Sequence, residues 1–214
     1  MRNHYLNPHV PGSDWQNAVT WVEENKSWIE PQLKKYDIPY SLAMAVVFPE
    51  LVRYSALRDR MEIVLCKALY TNHGERYADF SIGVFQMKPS FGELIRNDIS
   101  PIMGRKSHSL FKDRTEYNDI RLFRASIIEQ LEKPETELNY LIAFFKICES
   151  HFRLNRMDDY EKLKFLATAY NYGYNKEPEE INAMIDKKFF NTKLFQQENY
   201  AYSDVSLYWF MKQQ

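Results

Sequence analysis

The chain has 214 residues, and 28 Lys+Arg against 29 Asp+Glu leave a formal net charge of −1, a balance that argues against a nucleic-acid backbone binder. With 45% apolar and 27% charged residues, disordered, collagenous and coiled-coil chains are excluded. Six glycines are too few for a turn-dense β-sandwich or a glycine-rich nucleotide loop, so a mainly helical domain is expected.

Residues 1–12 read as an extended arm punctuated by Pro8 and Pro11, and residues 13–214 as one domain. The arm has no apolar run and no small-residue cleavage site, so no export signal is visible in it. A first helix is predicted from Asp14 to Tyr36. Ser41 to Phe48 reads as a buried helix, which the pair Pro49-Glu50 should end, kink or restart, because proline lacks the backbone donor and disfavours helix before it. Leu51, Tyr54, Met61, Leu65, Ala68 and Leu69 then recur at helical spacing and predict one long helix to about residue 72.

Residues 79–87 change period and read as a short strand or hairpin, the one β element expected, within a β region near residues 77–87. Pro89 opens another helix. Residues 98–117 read as a polar loop, and helices follow at about 118–132, 135–154, 158–171, 177–187 and 204–213. The longest apolar runs, 42–48 and 140–145, fall well short of the roughly 20 residues that cross a bilayer, so no transmembrane segment is expected.

No metal motif, serine-nucleophile elbow or clustered cysteine pair occurs, and no metal or cofactor is expected. Cys66 and Cys148 read as two buried thiols, with a single disulfide as the alternative. Carboxylates remain. Glu50 is delivered by an apolar helix, so its carboxyl is placed to be partly desolvated, which raises a carboxyl pKa toward the range of a general acid. Pro-Glu is also a common helix opening, and there the macrodipole would lower the same pKa.

Two further segments carry suitable groups. Gly83-Val-Phe-Gln86-Met87 joins a glycine that permits close backbone approach to an amide that both donates and accepts. Ala169-Tyr170-Asn171-Tyr-Gly173 ends a helix with a phenol, an amide and a C-cap glycine, which also suits a cap with a core ring.

In this order the three segments resemble the lysozyme-like fold of the lytic transglycosylases and goose-type lysozymes. In that superfamily a helix carries the catalytic Glu, a small β region carries Gly-Leu-Met-Gln before a proline-led helix, and a later helix ends in Ala-Tyr-Asn-Ala-Gly. Glu50, Gly83, Gln86, Pro89 and residues 169–171 and 173 match, with Val84, Phe85 and Tyr172 as replacements. The resemblance covers about residues 40–173, with a catalytic core of about 40–175. Leu51 stands where the family usually has Ser.

The resemblance implies a mainly α, lysozyme-like α+β domain that cleaves the peptidoglycan bond between N-acetylmuramic acid and N-acetylglucosamine. Glu50 would be the single general acid and base, giving anhydromuramoyl products. Gly83, Gln86, Met87, Tyr170 and Asn171 would bind substrate. Glu62, Glu75 and Asp79 are the candidate second carboxylates; on spacing Glu62 also rivals Glu50 as the acid, and a hydrolytic, lysozyme-type muramidase would use Glu75 or Asp79 to position water.

A third reading keeps the groove as an inactive glycan-binding or scaffolding module. A Glu50 buried in an ion pair with Arg53 would favour it. Aromatic side chains at Tyr54, Tyr77, Phe80, Phe85 and Phe91 could stack on sugar rings or fill the core. The partner implied is peptidoglycan, the protomer is expected to act as a monomer, and the location implied is the periplasm or cell envelope, with the cytoplasm as the alternative.

Overall fold

The computed structural model describes residues 13–56, 60–112, 116–190 and 200–214. The expected arm, residues 1–12, lies outside them.

The described residues are mainly helical, as composition leads one to expect. In chain order the helices are α1 Ser13–Lys34, α2 Tyr40–Ala56, α3 Arg60–His73, α4 Pro89–Met103, α5 Ile120–Leu131, α6 Pro134–His151, α7 Asp159–Tyr172, α8 Pro178–Met184 and α9 Tyr202–Met211. Their starts follow local chemistry. Pro89, Pro134 and Pro178 occupy first-turn positions, where the missing donor costs nothing. Asp158 and Glu161 form a capping box at α7, whose C-terminal cap, Gly173, adopts φ 125°.

Helix α2 is central, packed by α1, α7 and α9. Residues 43–48, together with Leu51 and Val52, are buried on every face, as a helix enclosed by others requires. Of the end, kink or restart expected at Pro49, the end does not occur: α2 runs through it to Ala56. An internal proline costs about 3 kcal/mol, and the apolar surface of those eight residues outweighs that when it is buried. The predicted single helix 51–72 is accordingly two, with α2 supplying its start and α3 its remainder.

Two further expectations need correction. Residues 98–117 are not a polar loop: α4 continues to Met103 because Ile95 and Ile99 keep its apolar stripe buried, and a 3-10 turn, Gly104–Ser109, follows. Nor do residues 77–87 hold a strand. They form a turn closed by one antiparallel bridge, in which Ile82 and Met87 exchange N–H···O bonds of 2.8 and 2.9 Å. The paired strands among the described residues are β1 Lys188–Phe190 and β2 Tyr200–Ala201, antiparallel and directly before α9. Buried residues from Trp15 to Phe210 make one contiguous core.

Candidate functional site

The turn at 82–87 is shaped by groups outside it. Glu137 on α6 is fully buried, and its carboxyl oxygens accept the backbone N–H of Val84 at 2.9 Å and of Phe85 at 3.0 Å. Gly83 adopts φ 77°, and a Cβ there would overlap the Leu131 carbonyl and the Glu137 carboxyl, so a side chain cannot be accommodated. Gln86 also adopts a positive φ, 52°, and its amide donates to the Gly83 carbonyl at 2.8 Å. That bond spends one amide hydrogen and leaves the amide oxygen and a second hydrogen available.

Beside this turn lies a cleft of about 600 Å3. It brings together Glu50 from α2, Gln86 and Met87 from the turn, and Tyr170 and Asn171 from the end of α7. Gly83 shapes the turn without lining the cleft. Glu75 lines it and is exposed. Asp79 lines it as well, but its carboxylate accepts the Ser90 N–H at 3.1 Å and the Ser90 hydroxyl at 2.7 Å, capping α4, whose own N-cap Lys88 makes no side-chain cap bond. The side chain of Glu62 lies outside the described residues, as do those of Arg58, Arg60 and Cys66. Cys148 is a buried free thiol, pushed up in pKa by burial.

Glu50 stands well inside α2 rather than at a helix opening, so the macrodipole argument for a lowered pKa does not apply. It is 4% exposed. Burial pushes its carboxyl up from 4.5 to about 7, against the opposing charge of Arg53 and hydrogen bonds from Arg53 and Tyr202. The Arg53 contacts are long, 3.3 and 3.5 Å from Nη1 to the two carboxyl oxygens, and Arg53 itself lines the cleft. The Tyr202 hydroxyl, buried on α9, shares its single proton between Glu50 and the Val46 carbonyl, 3.2 Å away. The result is a carboxyl at the wall of the cleft that keeps about half of its protonated form at neutral pH.

The remaining wall comes from residues sequence reasoning did not single out. Tyr70 donates to Glu93 at 2.8 Å, and Arg124 meets the same carboxylate at 3.3 Å, so a half-buried charged group also lines the cleft. Glu137, Glu93 and Tyr202 were missed for different reasons. Glu137 looks like an ordinary acidic residue in a first turn, Glu93 like a solvated helix position, and nothing local links Tyr202 to a helix that ends at Ala56. Of the aromatic residues weighed for sugar stacking, Phe85 is core, Phe91 is half-buried against Phe144, Tyr170 and Tyr174, and Tyr54, Tyr77 and Phe80 are exposed.

Among the described residues no group of three or more His, Cys, Asp and Glu side chains is placed to hold a metal ion, and no helix is long and apolar enough to cross a membrane. No family model, curated protein or solved structure matches the chain.

Proposed function

We propose that the chain cleaves a peptidoglycan glycan strand as a lytic transglycosylase, with Glu50 as its acid and base. One observation carries the reading: the Glu50 carboxyl is buried, holds its proton to about pH 7, and faces a cleft shared with Gln86, Tyr170 and Asn171. The resemblance in motif order to the lytic transglycosylases supports it.

In this reading Glu50 donates its proton to the glycosidic oxygen as the bond from the muramoyl C1 breaks. The resulting carboxylate then takes the proton from the muramoyl C6 hydroxyl, whose oxygen bonds to C1. Glu50 ends protonated, the sugar ends as a 1,6-anhydro product, and no water is consumed. Gln86 holds N-acetyl or hydroxyl groups of the sugar, and Asn171 orients substrate. Met87 and Tyr170 are both buried, so their part is to shape the wall and fix the turn. The reading implies action in the cell envelope.

Two observations favour rivals. Glu75 in the cleft is a carboxylate with no described hydrogen bond to restrain it, as a water-positioning group for hydrolysis would be. The Arg53–Glu50 contact favours an inactive glycan-binding module, because it draws Glu50 toward the ionised state in which it cannot act as an acid.

The test is incubation of wild type and Glu50→Gln with peptidoglycan, followed by mass spectrometry of the soluble fragments. Anhydromuramoyl ends that vanish with Glu50→Gln are the expected result. Reducing ends one water heavier would replace the reading with hydrolysis, and no fragments from several murein types would replace it with binding alone.

A further inference from the structure

A second pocket, of about 230 Å3, adjoins the main cleft through Asn97, which lines both. The helical spacing of α4 explains the arrangement. Glu93 and Asn97, four positions apart, face the cleft, while Arg96 and Ser100, also four apart, face the second pocket. Ser107, Phe111 and Lys112 close it from the segment after α4.

The charges in the two spaces differ. In the main cleft Arg53, Lys88 and Arg124 each meet a carboxylate, and a fourth cation, Lys176, lines it beside carboxylates of the same wall. The second pocket holds two cations, Arg96 and Lys112, and among the described residues no carboxylate lines it. Arg96 is 4% exposed, and among the described residues it makes no ion pair. Its Nη2 donates to the Lys112 carbonyl at 2.5 Å, its Nη1 to Gln130 Oε1 at 3.3 Å, and it also bonds the Tyr140 hydroxyl. Rings of Phe111, Phe123 and Tyr117 surround it at 4.9, 5.1 and 5.7 Å.

All of those partners are neutral. They fix the plane of the guanidinium without cancelling its charge, and they use three of its five N–H donors. A guanidinium held rigid in aromatic surroundings, short of a counter-charge and with two N–H donors unspent, is matched by an oxyanion. Lys112, exposed at the mouth, adds a second positive charge.

We infer that the Arg96 pocket is an annex of the cleft that takes a carboxylate carried by the ligand lying past Asn97. The inference rests on the cleft being a ligand groove and does not need the glycan to be cut. In the peptidoglycan reading, the group that enters is an acid of the peptide stem, so the annex would make stem-bearing strands better ligands than bare ones.

Amide NMR of the wild-type protein tests this without any cleavage assay. Acetate and inorganic phosphate, each titrated at constant ionic strength against chloride, should shift Ser100, Ser107 and Lys112 saturably, with binding weakened about tenfold by Lys112→Ala. Arg96→Gln should abolish the response, and if that variant fails to fold, Lys112→Ala still decides. With Glu50→Gln as host, a stem-bearing muropeptide should move both Asn97 and the annex, and a stemless glycan only Asn97. Unresponsive amides, or affinity untouched by Lys112→Ala, would overturn the site. An annex that answers simple oxyanions but answers stem-bearing and stemless fragments alike would overturn the ligand assignment and leave a site for a free anion. Cleavage of peptidoglycan with a silent annex would sink this inference alone.

Discussion

The Tyr170 hydroxyl donates to the Phe85 carbonyl at 2.7 Å, across 85 positions of chain, and so ties the end of α7 to the turn at 82–87. Both groups are buried, and burial holds the phenol well above its ordinary pKa, so it remains a donor at every working pH. Tyr170→Phe keeps the ring among Phe91 and Phe144 but orphans a buried carbonyl. The expected loss is about 1–2 kcal/mol, which for a chain of this length lowers the melting temperature by about 2–8 °C. Thermal unfolding followed by circular dichroism checks it.

Glu50 acts on stability in the opposite sense. Its carboxyl titrates at 4.5 when exposed and at about 7 when buried in the fold, so between those values the native state binds a proton that the unfolded chain has released. Unfolding free energy therefore falls as pH rises from about 4.5 to 7, and the native state loses about 3 kcal/mol from this group alone. Glu50→Gln removes that dependence. At pH 8 the variant should be more stable than wild type by up to that amount, at pH 4 about equal, and inactive at both. Denaturant titrations at the two pH values read the difference. Equal stability at pH 8 would mean that the carboxyl is not desolvated.

Activity should follow the same proton. A general acid works only while protonated, so cleavage should decline as pH passes about 7. Arg53 is the largest influence holding Glu50 down, followed by hydrogen bonds from Arg53 and Tyr202. Arg53→Gln and Tyr202→Phe should each move the alkaline limb of kcat/KM to higher pH, with Arg53→Gln moving it further. A carbon-13 NMR titration of Glu50 in each variant separates this shift from a general loss of fold.

The turn itself should be intolerant. Glu137→Ala leaves two buried N–H groups, those of Val84 and Phe85, without an acceptor, and should cost about 2–5 kcal/mol; Glu137→Gln keeps one acceptor and should cost less. Gly83→Ala meets both a positive φ and an occupied space, and should cost about 2 kcal/mol or more. Urea unfolding ranks the three, and either glutamate variant retaining wild-type stability would show that the carboxyl does not hold the turn.

Periodicity was a good guide wherever one face of an element decides its structure. Helices at Pro89, Pro134 and Asp159 begin within about a residue or two of their predicted starts because caps and prolines act locally. It did not foresee that α2 would run on past Pro49, and it failed in residues 98–103, where tertiary burial overrides a polar stretch. The bridge at 82–87 looked like a strand because Ile82, Val84 and Phe85 are β-formers, yet they are buried by helices rather than by a sheet partner. Glu50, Gln86, Tyr170 and Asn171 were legible as a group through their order along the chain. Glu137, Glu93 and Tyr202 were not, since their importance lies in partners on other elements.

The Glu137 anchor also fixes when the site exists. Val84 and Phe85 find their acceptor 53 and 52 positions away on another helix, so the turn has no local way to satisfy them. Those two amides are protected only while α6 is docked, and their hydrogen exchange should run at the rate of whole-molecule opening rather than loop fraying. A chain emerging from synthesis thus has no cleft until α6 has been made and folded against the turn. A molecule that begins to unravel around α6 loses the turn and its cleft before it loses most of its helix.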